Sequence, residues 1–322
     1  MQYQAIIHSF GAAEDVVDLQ LAELPALARD KVRLRILARP INPSDIVTIS
    51  GAYSGRTTLP FVPGFEAVGV VEECGDDVLS LPQGTRVVPL RSAGAWQQFV
   101  DADPDWCLHV PDNLSDFSAA TSYINPMTAW LMLHDKIGVK PGMRIAVTAA
   151  ASSIGLMLIA IANAAGVRPV AIVRSESSRN ILRGQLEAVI LAVDDVELAS
   201  RLAQVGHLDA ILDCVGGEQA LVLGSALRVG GHFVHYGLLS ERTIPGSFWI
   251  TNPQVNFSHF HLREWVYSQD IKAVQSKYSL VASNITSGVI STSIRQVFPL
   301  RDIRKVLEAA VPFKAGGKVL VI

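Results

Sequence analysis

The segment MRIAVTAAASSIGLMLIAIANAAGVRPVAIVR, residues 143–174, decides the fold of this chain. Residues 143–150 form a short apolar run with β-forming residues, which is typical of a buried strand. Apolar residues then recur at helical spacing from Ile154 as far as Gly166, and 167–174 has the pattern of a second buried strand. A strand, a tight turn, a helix and a strand within about thirty residues predict the βαβ unit that binds a dinucleotide.

The turn before the helix consists of small residues but lacks the complete glycine fingerprint of such units. Ala and Ser fill most places, and Gly155 is the glycine that remains. Small side chains let a pyrophosphate approach the free N–H groups and the partial positive charge of a helix N-terminus. Because the pattern is incomplete, a βαβ unit with an ordinary tight turn is the alternative interpretation.

The end of the second strand indicates which nucleotide is preferred. Proteins that bind NAD usually carry Asp or Glu there to hold the ribose hydroxyls. This chain carries Arg174 and Ser175, with Arg179 close behind. A cation and hydroxyl groups suit a 2′-phosphate, so the sequence predicts NADPH. The alternative is that Arg174 is a solvated charge at a strand end.

Composition excludes several classes of protein. The chain has 322 residues, is 49% hydrophobic and 18% charged, and has a mean hydropathy of +0.31, which supports large cores and allows two domains. A net charge of −3 provides no basic surface for nucleic acid. No uncharged apolar run reaches the roughly 18 residues of a membrane span, and the N-terminus has no leader pattern, so we expect a cytoplasmic protein. The three cysteines and eight histidines show no metal-ligand spacing, so we predict no metal.

The order of elements predicts a mostly β part followed by an alternating part. Residues 1–116 contain short strands separated by turns, and 115–135 is helical in composition with Pro126 breaking it near the middle. After the βαβ unit, strands and helices alternate, which predicts a doubly wound parallel sheet. A long helical stretch runs from about 258 to 286.

Motifs along nearly the whole chain resemble the medium-chain dehydrogenase/reductase superfamily. They are NPSDI (42–46), PGFEAVGVVEECG (63–75), LPQGTRVVPL (81–90), Ala119-Ala120, PG (141–142) and GGKVLVI (316–322). The resemblance implies an α/β protein with a GroES-like, mostly β catalytic domain and a Rossmann nucleotide-binding domain with a doubly wound parallel sheet. The implied boundaries are 1–116 and 259–322 for the catalytic domain, and 117–258 for the Rossmann domain.

The same resemblance points to the zinc-free branch of the superfamily. Its zinc alcohol dehydrogenases carry Cys where this chain has Asn42, and His-Glu where it has Phe65-Glu66, and they carry a four-cysteine lobe that is missing here. Among zinc-free members, GAWQQFV (94–100), INPMTAWLML (124–133) and FHLREW (260–265) most resemble 2-enoyl thioester reductases. Quinone oxidoreductases and alkenal reductases belong to the same branch.

The implied reaction is NADPH-dependent reduction of the C=C bond of a 2-enoyl thioester, with hydride transfer to Cβ and protonation at Cα. Tyr53 is the candidate catalytic residue, because a phenol can donate to the enolate oxygen or to Cα without carrying a charge. A loop Tyr that only packs is the alternative for Tyr53. The acyl group would be carried by acyl carrier protein or coenzyme A, and a homodimer would form near 243–250.

The resemblance also implies the residues of the cofactor site. Asn125 would contact the nicotinamide ribose or amide, and Lys318 a cofactor phosphate. The pyrophosphate would be held by Ala151, Ser152, Ser153 and Ile154, and the 2′-phosphate by Arg174 and Ser175. The nicotinamide cleft would be lined by Tyr236, Gly237, Leu238, Leu239, Phe260, His261, Leu262 and Arg263.

Two further functions are compatible with these residues. The nearest is an NADPH:quinone or alkenal reductase of the same fold. The other is a catalytically silent NADPH-binding protein, as some lens crystallins of the superfamily are. The incomplete glycine turn is compatible with the silent protein, whereas Tyr53 beside the Asn-Pro-Ser-Asp loop is evidence against it.

Overall fold

The computed structural model describes residues 1–91, 94–182, 188–191, 195–311 and 317–322. These residues form two compact units, a first unit of Met1–Ile124 with Gln269–Ile322 and a second unit of Asn125–Ser268. Residues 117–124 thus pack with the first unit, and 259–268 with the second. Gly316 of the GGKVLVI motif lies outside the described residues.

Strands and helices are numbered in chain order. The strands are β1 (Gln2–Ile7), β2 (Val17–Ala22), β3 (Val32–Pro40), β4 (Val68–Cys74), β5 (Arg86–Pro89), β6 (Phe99–Ala102), β7 (Cys107–His109), β8 (Ile145–Val147), β9 (Val170–Val173), β10 (Ala188–Leu191), β11 (Leu208–Asp213), β12 (Leu227–His235), β13 (Asn256–His259), β14 (Ile294–Phe298) and β15 (Lys318–Val321). The α-helices are α1 (Ala13–Val16), α2 (Pro43–Ile49), α3 (Asp116–Ala120), α4 (Ile124–Leu131), α5 (Ser153–Ala164), α6 (Glu176–Ile181), α7 (Asp195–Val205), α8 (Gln219–Ser225), α9 (Ser247–Thr251), α10 (Leu262–Ser268), α11 (Ile271–Thr286) and α12 (Ile303–Ala310). Short 3₁₀ segments and a π-helical turn at Met132–Ile137 complete the described structure.

The second unit is built on a six-stranded parallel sheet with the order β10-β9-β8-β11-β12-β13. This is the doubly wound order in which the first strand of each half lies at the centre. Buried side chains such as Ile172, Leu202 and Phe233 pack on one face of this sheet. The predicted doubly wound parallel sheet is therefore confirmed.

The first unit contains a mostly antiparallel sheet of seven strands with the order β14-β15-β3-β4-β5-β7, and β6 also pairs with β3. The strand β15, at the end of the chain, runs antiparallel to β3 through the Leu320–Pro40 pair. The last strand therefore completes the sheet that the first hundred residues begin. A core that includes Ile41, Trp96 and Val321 lies beside this junction.

Three predicted elements differ in extent from the observed ones. The strand predicted at 143–150 contains only the three residues of β8, because Ala149 has a φ of 45° and begins the turn. The helix predicted at 115–135 breaks before Pro126, which lies in the first turn of α4, where its missing N–H costs little. The helical stretch at 258–286 is preceded by β13 and divided into two helices.

The second of those helices begins at a clear N-terminal signal. The Asp270 side chain accepts a hydrogen bond from the Ala273 N–H at 2.8 Å, which caps α11. Among the described residues, no helix combines the length and the apolar character that crossing a membrane requires.

Candidate cofactor and catalytic sites

The turn between β8 and α5 contains four of the predicted cofactor residues. Ser152 is the N-cap of α5, and its Oγ accepts a hydrogen bond from the Gly155 N–H at 3.1 Å. Within the described part of the chain, the N–H groups of Ser153 and Ile154 have no hydrogen-bond partner. Free N–H groups at a helix N-terminus attract anions, so this turn fits a pyrophosphate.

Gly155 keeps this turn close to the sheet. A Cβ at this position would lie 2.5 Å from the Ala150 carbonyl oxygen, which is closer than any real contact of that kind. The glycine therefore allows the first turn of α5 to pack directly against the end of the strand. This close approach is what a dinucleotide-binding turn requires of its last glycine.

The residues predicted to hold a 2′-phosphate follow β9. The exposed Arg174 has no carboxylate partner among the residues that the structure describes. Ser175 caps α6 instead, since its Oγ accepts the Ser178 N–H at 3.1 Å and hydrogen-bonds the Ser178 hydroxyl at 2.9 Å. Arg179 pairs with Glu176 at 3.4 Å. Arg174 is therefore the cation of this group that is available to an anion.

The remaining predicted cofactor residues of the second unit lie at the carboxyl edge of the sheet, where the β8–α5 turn and Arg174 also lie. Asn125 is the exception, since it lies in the first turn of α4. The segments 236–239 and 260–263 follow β12 and β13, whose carboxyl ends lie at the same edge of the parallel sheet as those of β8 and β9. The Phe260 N–H donates to the His235 carbonyl at 2.9 Å and joins the two segments. Ligands of open parallel sheets bind at this edge.

Tyr236 differs from its neighbours in this group. Its hydroxyl is buried and has no hydrogen-bond partner among the described residues, and burial together with the nearby Cys214 thiol raises the pKa of Tyr236 well above its ordinary value. Leu238 and Leu239 are exposed. The loop therefore combines a buried phenol that stays neutral with an exposed apolar surface.

Tyr53 belongs to the first unit, in a short loop after α2. Its carbonyl oxygen accepts the Arg56 N–H at 3.0 Å and the Thr57 hydroxyl at 3.0 Å, which closes the loop. The Arg56 guanidinium carbon lies 3.9 Å from the centroid of the Tyr53 ring, a cation–π contact. No described residue hydrogen-bonds the phenol hydroxyl, so this group is available as a donor.

A buried polar network lies near the start of α2. Asn42 Nδ2 donates to Glu66 Oε2 at 2.9 Å, and the Lys318 ammonium hydrogen-bonds Asn42 Oδ1 and lies 3.7 Å from Glu66 Oε2. The Tyr123 and Ile124 N–H groups donate to Glu66 Oε1 at 3.0 and 2.8 Å. Glu66 thus joins β15, the start of α2 and the start of α4.

This network contains the buried ammonium of Lys318. Its side chain is almost completely buried, and burial lowers the pKa of Lys318, while the Glu66 carboxylate opposes that shift. The ammonium is directed at Asn42 and Glu66, so the structure gives it partners within the first unit. Its contact with a cofactor phosphate stays a prediction.

Asp45 was not predicted to have a role, although its spacing from Asn42 carries a signal. Asn42 and Asp45 form a capping box at the start of α2, in which the Asn42 N–H donates to Asp45 Oδ2 at 2.8 Å. The Phe65 N–H donates to the other carboxyl oxygen at 3.1 Å. Complete burial raises the pKa of Asp45 to about 7, against these hydrogen bonds.

Comparisons with known proteins match both units. The family model of the alcohol dehydrogenase GroES-like domain matches residues 28–112, and that of the zinc-binding dehydrogenase matches 153–278. The described residues contain no group of three or more His, Cys, Asp or Glu side chains arranged to hold a metal ion.

Relatives and solved structures match most of the chain. The mitochondrial enoyl-[acyl-carrier-protein] reductase of Caenorhabditis elegans is 33% identical over 293 residues, covering 88% of this chain and 83% of the relative. The human protein of the same name is 29% identical, covering 97% of this chain and 86% of the relative. A Bacillus thuringiensis structure, described as a candidate NADPH:quinone reductase, is 30% identical with a TM-score of 0.92, covering 99% of this chain and 98% of that one.

Glu66→Gln removes the negative charge beside the buried Lys318 ammonium and should lower the free energy of unfolding by about 3–5 kcal/mol. The double variant Glu66→Gln/Lys318→Met also removes the buried ammonium that has lost its counter-charge, so it should be more stable than Glu66→Gln alone. Urea unfolding of the wild type, both single variants and the double variant measures this coupling.

The matched control is Glu72→Gln, which breaks the half-exposed pair of Glu72 with Arg35, where Nε and Oε2 are 3.0 Å apart. Its effect should stay within about 1 kcal/mol. Equal losses for the Glu66 and Glu72 variants would contradict the structural role given to Glu66.

Proposed function

Because the chain belongs to the medium-chain dehydrogenase/reductase superfamily, in its zinc-free branch, we propose that it is an NADPH-dependent reductase of the C=C bond of 2-enoyl thioesters. The observation that carries the proposal is the identity with enoyl-[acyl-carrier-protein] reductases over most of both chains. We propose that the acyl group arrives on acyl carrier protein or coenzyme A, and that two copies pair near 243–250.

The second unit offers residues that fit the cofactor. When bound, NADPH supplies a hydride, which no amino-acid side chain can provide. The N–H groups of Ser153 and Ile154, which have no partner among the described residues, would bind the pyrophosphate. Arg174, which pairs with no described carboxylate, would bind the 2′-phosphate. Because the Ser175 hydroxyl already makes hydrogen bonds that cap α6, Ser175 would contribute less than Arg174 to binding the 2′-phosphate. We assign Asn125 and the segments 236–239 and 260–263 to the nicotinamide end.

The first unit offers the catalytic donor. Reduction at Cβ leaves negative charge on the thioester oxygen until Cα is protonated. The Tyr53 hydroxyl, which no described residue hydrogen-bonds, can donate to that oxygen or deliver the proton. The hydrogen bonds from the Arg56 N–H and the Thr57 hydroxyl fix the loop, so the phenol is held ready before substrate binds.

A second candidate function is the reduction of quinones. The Bacillus thuringiensis structure favours it, because that protein is described as a candidate NADPH:quinone reductase and the similarity spans both chains. Both functions use the same cofactor and differ in the acceptor of the hydride. The acceptor can therefore be decided by activity measurements alone.

Oxidation of NADPH should be faster with crotonyl thioester than with a quinone at equal concentrations. Both rates follow from the loss of NADPH absorbance, with protein-free mixtures as controls. Faster turnover of the quinone would replace the first proposal with the second. No turnover of either acceptor would identify a binding protein without this activity.

Arg174→Ala should raise the KM for NADPH at least about tenfold and leave the KM for NADH unchanged, because the lost cation meets only the 2′-phosphate. Steady-state kinetics with the two nucleotides checks this. The matched control is Arg179→Ala, whose guanidinium already pairs with Glu176 and whose loss should change either KM less than about twofold. A parallel rise for NADPH and NADH would contradict the role of Arg174.

Tyr53→Phe should lower kcat about 100-fold or more, which is typical for loss of a general acid, and leave the Kd for NADPH within about twofold. Turnover and fluorescence titration measure the two quantities. Tyr3→Phe is the matched control, since the Arg301 guanidinium carbon lies 4.4 Å from the Tyr3 ring centroid in a similar contact. An unchanged kcat for Tyr53→Phe would remove this residue from the mechanism.

A further inference from the structure

A row of polar side chains crosses the carboxyl edge of the parallel sheet in the second unit. Thr148, Asp213, His235 and His259 lie beside one another at the ends of β8, β11, β12 and β13. Asp213 and His235 are buried, while His259 is exposed at the edge strand. None of them belongs to the predicted site, and the proposed mechanism does not use them.

Asp213 is the centre of this row. The Thr148 hydroxyl and the Val215 N–H donate to its Oδ1 at 2.9 and 3.1 Å. The Gly216 N–H and His235 Nδ1–H donate to its Oδ2 at 3.0 and 2.8 Å. These four hydrogen bonds fill the acceptor capacity of a carboxylate. Because a carboxylate only accepts, His235 carries a proton on Nδ1.

The Asp213–His235 pair lies against two connected segments, the 214–217 turn and the 236–242 loop. Main-chain hydrogen bonds of 2.8 to 3.0 Å join these segments to each other. Gly216 has a φ of 72°, and a Cβ there would lie 3.3 Å from Cε1 of the His235 ring. The imidazole ring therefore leaves little room for a side chain at residue 216, and its link to the turn runs through the Asp213 carboxylate.

Resting on the proposed function, we propose that Asp213 and His235 are positioning residues, which hold the 214–217 turn and the 236–242 loop in the conformation that binds the nicotinamide half of NADPH. The loop contains the segment 236–239 that we assign to the nicotinamide. Arg174 follows β9, which two strands, β8 and β11, separate from β12. Loss of the pair should therefore affect one end of the cofactor only.

Two ligands distinguish the two ends of the cofactor. NADPH contacts both ends, whereas adenosine 2′,5′-bisphosphate has the 2′-phosphate and lacks the nicotinamide. His235→Leu should raise the Kd for NADPH at least about tenfold and change the Kd for the bisphosphate less than about twofold, as expected for a lost hydrogen bond to a charged group. Calorimetric titration of the full chain with each ligand gives both values.

Matched variants separate positioning from loss of structure. His235→Asn keeps a side-chain N–H near the Nδ1 position and should bind NADPH within about threefold of the wild type. His259→Asn changes the exposed end of the row, which makes no hydrogen bond to Asp213, and should bind NADPH as the wild type does. If thermal unfolding shows that His235→Leu does not fold, His235→Gln, whose amide is one methylene further out, carries the same expectation.

The outcomes separate this inference from the proposed function. A wild-type protein that binds neither ligand overturns NADPH as the cofactor, and the positioning role with it. Suppose that the wild type binds both ligands. The positioning role alone is then overturned if His235→Leu weakens the binding of both ligands equally, or weakens the binding of neither. A loss with His235→Asn as large as with His235→Leu also overturns it, because the Asp213 hydrogen bond would then not be the cause.

Discussion

A buried carboxylate whose oxygens are hydrogen-bonded is the constraint on which each unit depends. Glu66 in the first unit accepts hydrogen bonds from Asn42 and from two main-chain N–H groups, and Lys318 lies beside it. Asp213 in the second unit accepts four. A buried charge that loses such partners costs several kcal/mol. Moving any one of the joined segments away would therefore destabilise the fold of its unit.

Each of these carboxylates accepts hydrogen bonds from main-chain N–H groups. The groups that would meet ligands follow these bonded segments in the chain. Glu66 hydrogen-bonds Asn42, which precedes α2 and the Tyr53 loop. It also hydrogen-bonds Ile124, which directly precedes Asn125. The positions fixed by Asp213 lead into the 214–217 turn and the loop after β12. A site supported in this way is set before a ligand arrives, which lowers the entropy lost on binding.

Local sequence patterns predicted what local geometry controls. The βαβ unit, the parallel sheet and the place of Arg174 after β9 all follow from periodicity and turn residues, and the structure has them. The contact of Glu66 with Lys318 and the place of His235 beside Asp213 could not be predicted, because each depends on strand pairing between distant segments. The resemblance implies that Lys318 contacts a phosphate, and the structure adds Asn42 and Glu66 as its partners within the first unit.

The incomplete glycine fingerprint illustrates the difference between a motif and its physical requirement. Gly155 is needed, because any side chain there would collide with the Ala150 carbonyl oxygen. Ala149 takes up the left-handed conformation that a glycine would adopt more easily, at a cost of about 1 kcal/mol. The donors that would meet an anion are main-chain N–H groups of Ser153 and Ile154, which every residue except proline provides. The turn can therefore lose two glycines of the pattern and keep the groups that would bind a pyrophosphate.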